Sequence, residues 1–160
     1  METPQNGFLI GALVAITSDA LRQQARERLA AAGFEDVRPA HDVVFALLRA
    51  EGDRIVELAK RAQMTKQAMG YLITYLEEHD YLERMPDPAD GRAQIVRRTK
   101  RGWAFQRAAR QVVQEIQTEW AERFGVERMQ QLIELLRDLV KLLGVEYTGS
   151  VPEIAARRES

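Results

Sequence analysis

The sequence predicts a mainly α-helical fold with one small β-hairpin. Three observations favour this fold class. Apolar residues recur at helical spacing in six segments of the 160-residue chain, as they do on the buried faces of amphipathic helices. Two short strand candidates flank the turn residues of "PDPADG", whose composition is typical of a hairpin loop. The chain has no cysteine, which excludes disulfides, thiolate metal sites and thiol redox sensing.

The first predicted helix runs from Phe8 to Ala32 and ends at Gly33, and its first half is apolar on nearly every side. Its apolar residues recur at Leu9, Leu13, Ile16, Leu21, Ala25 and Leu29. The apolar stretch from Phe8 to Ile16 is too short to cross a bilayer, and it lacks the basic start of a signal peptide. We therefore expect a cytoplasmic protein with no membrane partner.

Two shorter helices are predicted next. Proline suits the first turn of a helix, so the second helix is predicted from Pro39 to about Ala50, where Gly52 breaks it. Asp53 is predicted to cap the third helix, because its carboxylate can accept a hydrogen bond from a free backbone amide. The buried stripe of the third helix is predicted to comprise Ile55, Leu58, Ala59 and Ala62.

The fourth helix follows a tight turn, with Thr65 as its predicted N-cap. Its apolar stripe comprises Met69, Leu72, Ile73 and Leu76. Its opposite face comprises Lys66, Gln67, Gly70, Tyr71 and Thr74. The segments "YLERM" and "AQIVRR" are then predicted to pair as the strands of the hairpin. Two short helices, a turn and a hairpin wing together predict a winged helix-turn-helix.

The two ends of the chain are predicted to hold a homodimer together. Thr99 is predicted to cap a fifth helix that runs to about Arg123, and a sixth helix is predicted from Val126 to Leu143. A surface helix usually buries one apolar stripe, and the first and last helices carry more apolar surface than that. We therefore predict a single domain, with dimerisation helices at residues 8–32 and 100–143 on either side of a winged helix-turn-helix region at residues 39–98. Residues 144–160 are predicted to form a loosely held tail.

Charge is distributed unevenly along the chain, although the net charge is only -1. Residues 60–110 carry eleven Lys/Arg against six Asp/Glu, whereas the segments before and after each carry six against nine. The predicted start of the fifth helix, which already bears a partial positive charge, is surrounded by Arg97, Arg98, Lys100 and Arg101. Bound phosphate would reverse this unfavourable interaction, so the segment indicates a polyanionic partner. The alternative interpretation is a solvated helical face.

The outer face of the fourth helix has residue types that suit a DNA major groove. Gln67 can bind the edge of adenine through two hydrogen bonds, while Lys66 and Tyr71 can hold phosphate. At the tip of the hairpin, Arg92 can enter a narrow minor groove, where the potential is most negative. Each of these residues alone is typical of any exposed surface, but their combination between a tight turn and a hairpin favours DNA binding.

These segments resemble the MarR family of bacterial multiple-antibiotic-resistance regulators. The wing of that family follows the pattern D-x-R, five residues, then L-T, and the next helix often opens T-x-x-G. The matching residues here are Asp90, Arg92, Thr99 and Gly102. Arg98 stands where the family usually has leucine, which adds a cation at the base of the wing. The segment "MTKQAMGYLITYLEEHDYLER" resembles the recognition helix and the strand after it.

The resemblance, which extends from Phe8 to Leu143, implies a bacterial, nucleoid-associated transcription regulator. Such a protein is usually a repressor that binds double-stranded, pseudo-palindromic promoter DNA as a homodimer and is released by a small aromatic or anionic effector. With the charge pattern, it predicts DNA-binding roles for Thr65, Lys66, Gln67, Gly70, Tyr71, Thr74, Asp90, Arg92, Arg97, Arg98 and Lys100. Asp90 would orient the wing tip by pairing with a neighbouring cation.

An effector pocket of the family type would lie between the dimerisation helices and the winged domain. Its predicted lining residues are His41, Phe45 and Trp103, although each of these residue types is more often simply packed. Two histidines without a cysteine make a poor metal site. We therefore expect neither a metal nor a cofactor.

Two alternatives to a DNA-binding regulator remain. A winged-helix module that binds proteins and has lost DNA binding would have no need for cations at a helix N-terminus. An enzyme would need an acid, a base or a nucleophile positioned in a pocket. The sequence shows no phosphate-binding loop, no metal-binding cluster and no nucleophile beside a base, so we expect a protein that is not an enzyme.

Overall fold

A computed structural model describes residues 9–144. Phe8 lies outside this range, and so does the predicted tail after Gly144. Within residues 9–144, six α-helices and one two-stranded antiparallel sheet follow in the predicted order. The helices are α1 Ile10–Leu29, α2 Asp42–Leu47, α3 Ile55–Arg61, α4 Lys66–Glu78, α5 Lys100–Phe124 and α6 Val126–Leu142. The strands are β1 Leu82–Asp87 and β2 Asp90–Arg98. The predicted mainly α fold with a small β-wing is confirmed.

The connection from α1 to α2 is more irregular than the sequence suggested. A π-helical turn at Ala30–Phe34 extends α1 and contains Gly33, whose φ of 89° lies in the left-handed region that favours glycine. A 3-10 turn at Pro39–His41 precedes α2. The second helix ends at Leu47 rather than near Ala50, because the chain at Leu48 turns to an extended conformation with ψ of 125°.

Asp53 does not cap the third helix, so that prediction is wrong. Its backbone pairs with Val96 of β2 through two hydrogen bonds, of 3.0 and 2.8 Å. Its buried carboxylate accepts a hydrogen bond from the backbone N–H of Arg49 at 2.8 Å, and Nη2 of Arg61 lies 2.8 Å from the same carboxylate. Asp53 therefore fastens the α2–α3 connection to the wing, and Arg54 takes the N-cap position instead.

The core sits between α4, α5 and the base of the wing. Its largest fully buried side chains are Tyr81, Leu58, Met69, Ile73, Leu76, Ile116, Val44 and Val96. Full burial of an aliphatic side chain of this size stabilises a fold by about 1.5–3 kcal/mol. Gly102 allows the close approach of α5 to this core, since a Cβ there would lie 2.1 Å from the carbonyl oxygen of Tyr81. The packing fixes the direction in which α4 and the wing point outwards.

Apolar side chains remain exposed on α1 and α6. On α1, Ile10 and Ile16 are 65% and 61% exposed, and on α6, Leu135 and Leu142 are 68% and 81% exposed. Nothing in residues 9–144 covers these side chains, so the predicted dimer seam stays a prediction that this surface favours. No helix in the described residues is both long enough and apolar enough to cross a membrane.

Candidate nucleic-acid interface

The fourth helix is held by its inner face and capped by its first threonine. Thr65 Oγ1 accepts a hydrogen bond from the backbone N–H of Ala68 at 3.1 Å, as predicted for the N-cap. Met69, Ile73 and Leu76 are each 0% exposed. The opposite face is therefore turned outwards, and its exposed side chains are those of Lys66, Gln67, Tyr71 and Thr74.

Neighbouring contacts arrange part of this outer face. Gln67 Nε2 donates a hydrogen bond to Tyr71 Oη at 3.2 Å, one helical turn away. Thr74 Oγ1 accepts from Arg84 Nη2 at 3.3 Å, and the same Nη2 lies 3.1 Å from the carboxylate of Glu77. Arg84 thus ties the end of α4 to β1. The sequence did not indicate this role, because nothing in the local pattern around Arg84 points to a partner on the preceding helix.

The wing tip is steadied from the start of α3. Arg54 Nη2 lies 2.6 Å from Asp87 Oδ2 and 3.6 Å from Asp90 Oδ2. The backbone N–H of Ala89 and the Arg54 guanidinium hold the pKa of Asp87 below its ordinary value. The expected pairing of Asp90 with a cation is present, and Arg54 is the partner that the sequence did not identify. Arg92 is exposed beside this cluster.

Two of the four cations around the start of α5, Arg97 and Arg101, are at least partly exposed but bind side chains of the protein itself. Arg97 Nε lies 2.7 Å from Glu83 Oε1, directly across the two strands of the wing. Arg101 Nη2 donates to Asp36 Oδ2 at 3.2 Å and to Tyr81 Oη at 3.1 Å. Burial, followed by the hydrogen bond to Asp36, raises the pKa of Tyr81 to about 12. Arg101 therefore joins α5 to the loop after α1 rather than extending freely into solvent.

Arg98 is buried, which contradicts the expectation that it contacts phosphate. The residue is only 4% exposed. Its guanidinium donates to three backbone carbonyls at the end of α2, those of Phe45 at 2.9 Å, Leu48 at 2.8 Å and Arg49 at 3.0 Å. Burial lowers the pKa of Arg98 from its ordinary value. Arg98 thus replaces an apolar family residue with a cation that binds the protein's own backbone.

Lys100 is the cation that stays available at the start of α5. Thr99 Oγ1 caps this helix by accepting the backbone N–H of Gly102 at 3.1 Å, as predicted. Lys100, in the first turn, is exposed and has no ion-pair partner in residues 9–144. Among the four cations at this helix end, Lys100 is therefore the one without an internal partner in residues 9–144, since Arg97, Arg98 and Arg101 each bind a group of the protein itself.

The three residues predicted to line an effector pocket are not brought together. His41 is buried and stacks on Tyr75 with ring centroids 4.5 Å apart. Phe45 packs in the core, with its ring centroid 4.5 Å from that of Phe105. Trp103 instead lines an open surface pocket that also includes Lys100. Within the described part of the chain, no group of three or more His, Asp or Glu side chains could hold a metal ion.

Comparisons with known proteins agree with this geometry. A model of the MarR family matches residues 37–93. The reduced form of MarR from E. coli has a TM-score of 0.70 and 23% identity, with 83% of this chain and 97% of that chain covered. A MepR mutant from S. aureus, bound to an oligodeoxyribonucleotide, has a TM-score of 0.60 and 21% identity, with 85% and 99% covered.

A third solved structure, the transcriptional regulator Tm0710 from Thermotoga maritima, has a TM-score of 0.62 and 21% identity, with 84% and 93% covered. A search of the curated proteins gave no match. At these identities the solved structures establish the shared fold. The family model covers the helix-turn-helix and the start of the wing, so the predicted resemblance to the MarR family is confirmed for residues 37–93.

Proposed function

We propose that this protein is a DNA-binding transcription regulator that binds promoter DNA as a homodimer. The outer face of α4 carries the proposal, because it presents polar side chains to solvent while Met69, Ile73 and Leu76 on the inner face are fully buried. A capped helix of 13 residues suits a major groove, which is about 12 Å wide. The MepR mutant that shares this fold is bound to an oligodeoxyribonucleotide, which supports the same partner here.

We propose that different side chains contact different parts of the DNA. Gln67 reads a base edge from the first turn of α4, and Lys66 beside it binds phosphate. Arg92 enters the minor groove from the wing tip, which Arg54 holds in place through Asp87 and Asp90. Lys100 adds a phosphate contact at the N-terminus of α5, where the helix dipole also favours an anion.

A homodimer follows from the exposed apolar residues of α1 and α6. A two-fold dimer presents two copies of α4, so the operator is a pseudo-palindrome with half-sites about 34–36 Å apart. Binding at a promoter would block its use by other proteins, and for this reason we propose repression. Exposed apolar side chains on α1 and α6 need another apolar surface to cover them, and a second copy of the chain supplies one.

The effector that releases the protein from DNA is proposed to bind at a surface pocket rather than in a pocket formed by all three predicted lining residues. His41 and Phe45 lend effector binding no support, because both are packed inside one protomer. The open pocket beside Trp103 is lined by that ring, by Arg97 and Lys100, and by the acidic residues Asp80 and Glu83. Glu83 already pairs with Arg97, which leaves Lys100 as the cation for a ligand. A small aromatic or anionic molecule would suit that combination of a ring and a cation.

The alternative function, a winged-helix module that binds proteins, would have no need for a basic cluster. The internal partners of Arg98 and Arg101 give those cations a folding role, so they no longer discriminate between the two functions. Lys66, Arg92 and Lys100 still favour DNA, because each is exposed and lacks an ion pair within the described residues.

Selection of fragments from the source genome with the full-length protein tests the proposal. We expect a small set of enriched sites that share a pseudo-palindrome, and the genes beside them would also suggest the effector. The affinity for a selected site should fall steeply with salt, with a slope of about 0.9 in the logarithm for each phosphate neutralised. No enrichment together with a flat salt response would contradict DNA binding and favour the protein-binding module.

A further inference from the structure

Gly70, in the middle of α4, has no explanation in the folding of this chain. Glycine in a helix interior is unfavourable relative to alanine, so it usually has a reason. One reason is a positive φ, but the backbone of Gly70 is helical and is not among the positive-φ glycines of residues 9–144. The other is crowding, but a Cβ built at Gly70 would meet no atom within 4 Å, apart from its chain neighbours and its own helix backbone.

Other glycines of the chain show what a folding constraint looks like. At Gly102 a Cβ would lie 2.1 Å from the carbonyl oxygen of Tyr81. At Gly52 the φ is 98°, and a Cβ would lie 2.8 Å from the carbonyl oxygen of Val96. Alanine at either position would clash with the backbone. Alanine at Gly70 would meet nothing in the described chain. The same is true at Gly11 in the first turn of α1 and at Gly91 in the wing, and Gly70 differs from these in lying inside the helix that we propose to contact DNA.

Gly70 lies on the outer face of α4 between residues that we propose to contact DNA. Gln67 precedes it by three positions and Thr74 follows it by four, and such residues are neighbours on a helix surface. Between them the absent side chain leaves a shallow notch. The backbone groups of Gly70 are inside the helix and are used in its hydrogen bonds, so the floor of the notch offers an apolar Cα rather than a donor or an acceptor.

We infer that Gly70 determines sequence specificity by seating the C5-methyl group of a thymine in this notch. The inference rests on the proposed DNA-binding function. The thymine methyl is the apolar group that base pairs display in the major groove, and so it is the group that fits a notch without hydrogen-bonding partners. A side chain at this position would take the space of the methyl group and push the helix away from that base.

The neighbouring Gln67 indicates which base lies beside the thymine. One N–H of its amide is donated to Tyr71 Oη at 3.2 Å. The second N–H and the Oε1 atom remain, and these are the donor and the acceptor that a bidentate contact with adenine needs. Tyr71 is thus a positioning residue for Gln67, and each half-site is expected to contain an adenine next to the thymine bound at Gly70.

Gly70→Ala separates a DNA-contacting role from a folding role. The loss of a glycine needed for folding would lower stability, whereas the loss of a glycine needed for DNA contact should lower operator affinity alone. The variant should shift the unfolding equilibrium about fivefold towards the folded state, since alanine is the better helix former. Its affinity for the selected operator should fall about tenfold, the loss typical of a disturbed base contact. Its affinity for unrelated DNA should be unchanged, since phosphate contacts dominate there.

Deoxyuridine in place of thymidine, one position at a time in the operator, identifies the methyl group directly. The wild-type protein should lose about three- to fourfold in affinity at one position in each half-site, the effect of one methyl group that is no longer buried. For Gly70→Ala the same substitution should restore affinity, because it removes the group that clashes. Gln67→Ala is the matched control, and it should keep the wild-type response to deoxyuridine at that position.

Two results would overturn the inference while leaving the proposed function intact. Operator affinity of Gly70→Ala equal to that of the wild type would show that no group occupies the notch. An equal loss on operator and on unrelated DNA would place the clash at the sugar-phosphate backbone rather than at a base. A wild-type protein that selects no DNA at all would instead overturn the proposed function, and the inference with it, before any variant is compared.

Discussion

Arg98 Nη2 donates a hydrogen bond to the carbonyl oxygen of Leu48 at 2.8 Å and so joins the base of the wing to the C-terminal end of α2. The last carbonyls of a helix have no partner within the helix. A cation at this end also interacts favourably with the helix dipole. Here a single guanidinium satisfies carbonyls of Phe45, Leu48 and Arg49. The residue that departs from the family pattern therefore has a structural reason inside this protein.

Arg98→Leu, which restores the usual family residue, should destabilise this protein. The variant leaves buried carbonyl oxygens at the end of α2 without a donor, and we expect the free energy of unfolding to fall by about 2–4 kcal/mol. Urea unfolding measures the change. Lys100→Ala, which alters an exposed cation two residues away, is the control and should change stability little. A stable Arg98→Leu protein would show that α2 can repack around leucine.

Local features of the fold were predictable from the sequence, because their causes are local. Thr65 and Thr99 cap α4 and α5 as predicted, since an N-cap needs only a hydroxyl oxygen within reach of a backbone amide three residues ahead. The predicted stripe of Met69, Leu72, Ile73 and Leu76 identified the inner side of α4, where Leu72 is half-buried and the other three are fully buried. Helical periodicity alone decides which residues share a face.

The roles of the arginines were not predictable, because their partners are distant in sequence. Arg98 binds carbonyls about fifty residues earlier, and Arg101 binds Asp36 of the loop after α1. A charge pattern shows that a guanidinium is present but not which groups face it in the fold. Asp53 was misassigned for a similar reason, since its donors, Arg49 and Arg61, lie on either side of a bend that only the folded chain creates.

Arg92→Ala should weaken operator binding by about 1–3 kcal/mol if the wing tip enters a groove. The change should leave stability unaltered, because Arg92 is exposed and its side chain has no ion pair within residues 9–144. Fluorescence anisotropy with a selected operator measures the affinity. Gln94→Ala, at another exposed position of β2, is the matched control and should bind as the wild type does. Equal affinities for the two variants would remove the wing from the DNA contact.

Stability should decline on mild acidification because of His41. Burial, and then the nearby charges of Arg38 and His79, lower the pKa of His41 from 6.5. Its Nδ1 atom also accepts the backbone N–H of Arg38 at 3.0 Å, which a proton on Nδ1 would prevent. The unfolded chain thus binds the proton more tightly than the folded chain does. The contribution of neutral His41 to the free energy of unfolding is therefore complete above about pH 6.5 and is lost as the pH falls below that value.

Urea unfolding at pH 7.5 and at pH 5.5 tests this assignment to His41. The wild-type protein should unfold at a lower urea concentration at pH 5.5. In His41→Gln, whose side chain does not titrate, the difference between the two pH values should be smaller. His79→Gln separates the two histidines of the chain, because it leaves the hydrogen bond from Arg38 in place. A pH effect of full size in His41→Gln would assign it to other groups.

The exposed leucines of α6 give the sharpest test of the homodimer. Leu135 and Leu142 are 68% and 81% exposed and lie two helical turns apart on one side of α6. Leu135→Glu combined with Leu142→Glu should leave the protomer folded, because neither side chain is buried in it. Sedimentation should then show a monomer, since a seam cannot bury unpaired carboxylates without a large cost. Operator affinity should fall as well, because one molecule no longer binds both half-sites. The control is Gln130→Glu with Arg137→Glu, at exposed polar positions of the same helix, and this variant should keep the dimer. A dimer that survives the two leucine changes would place the interface elsewhere.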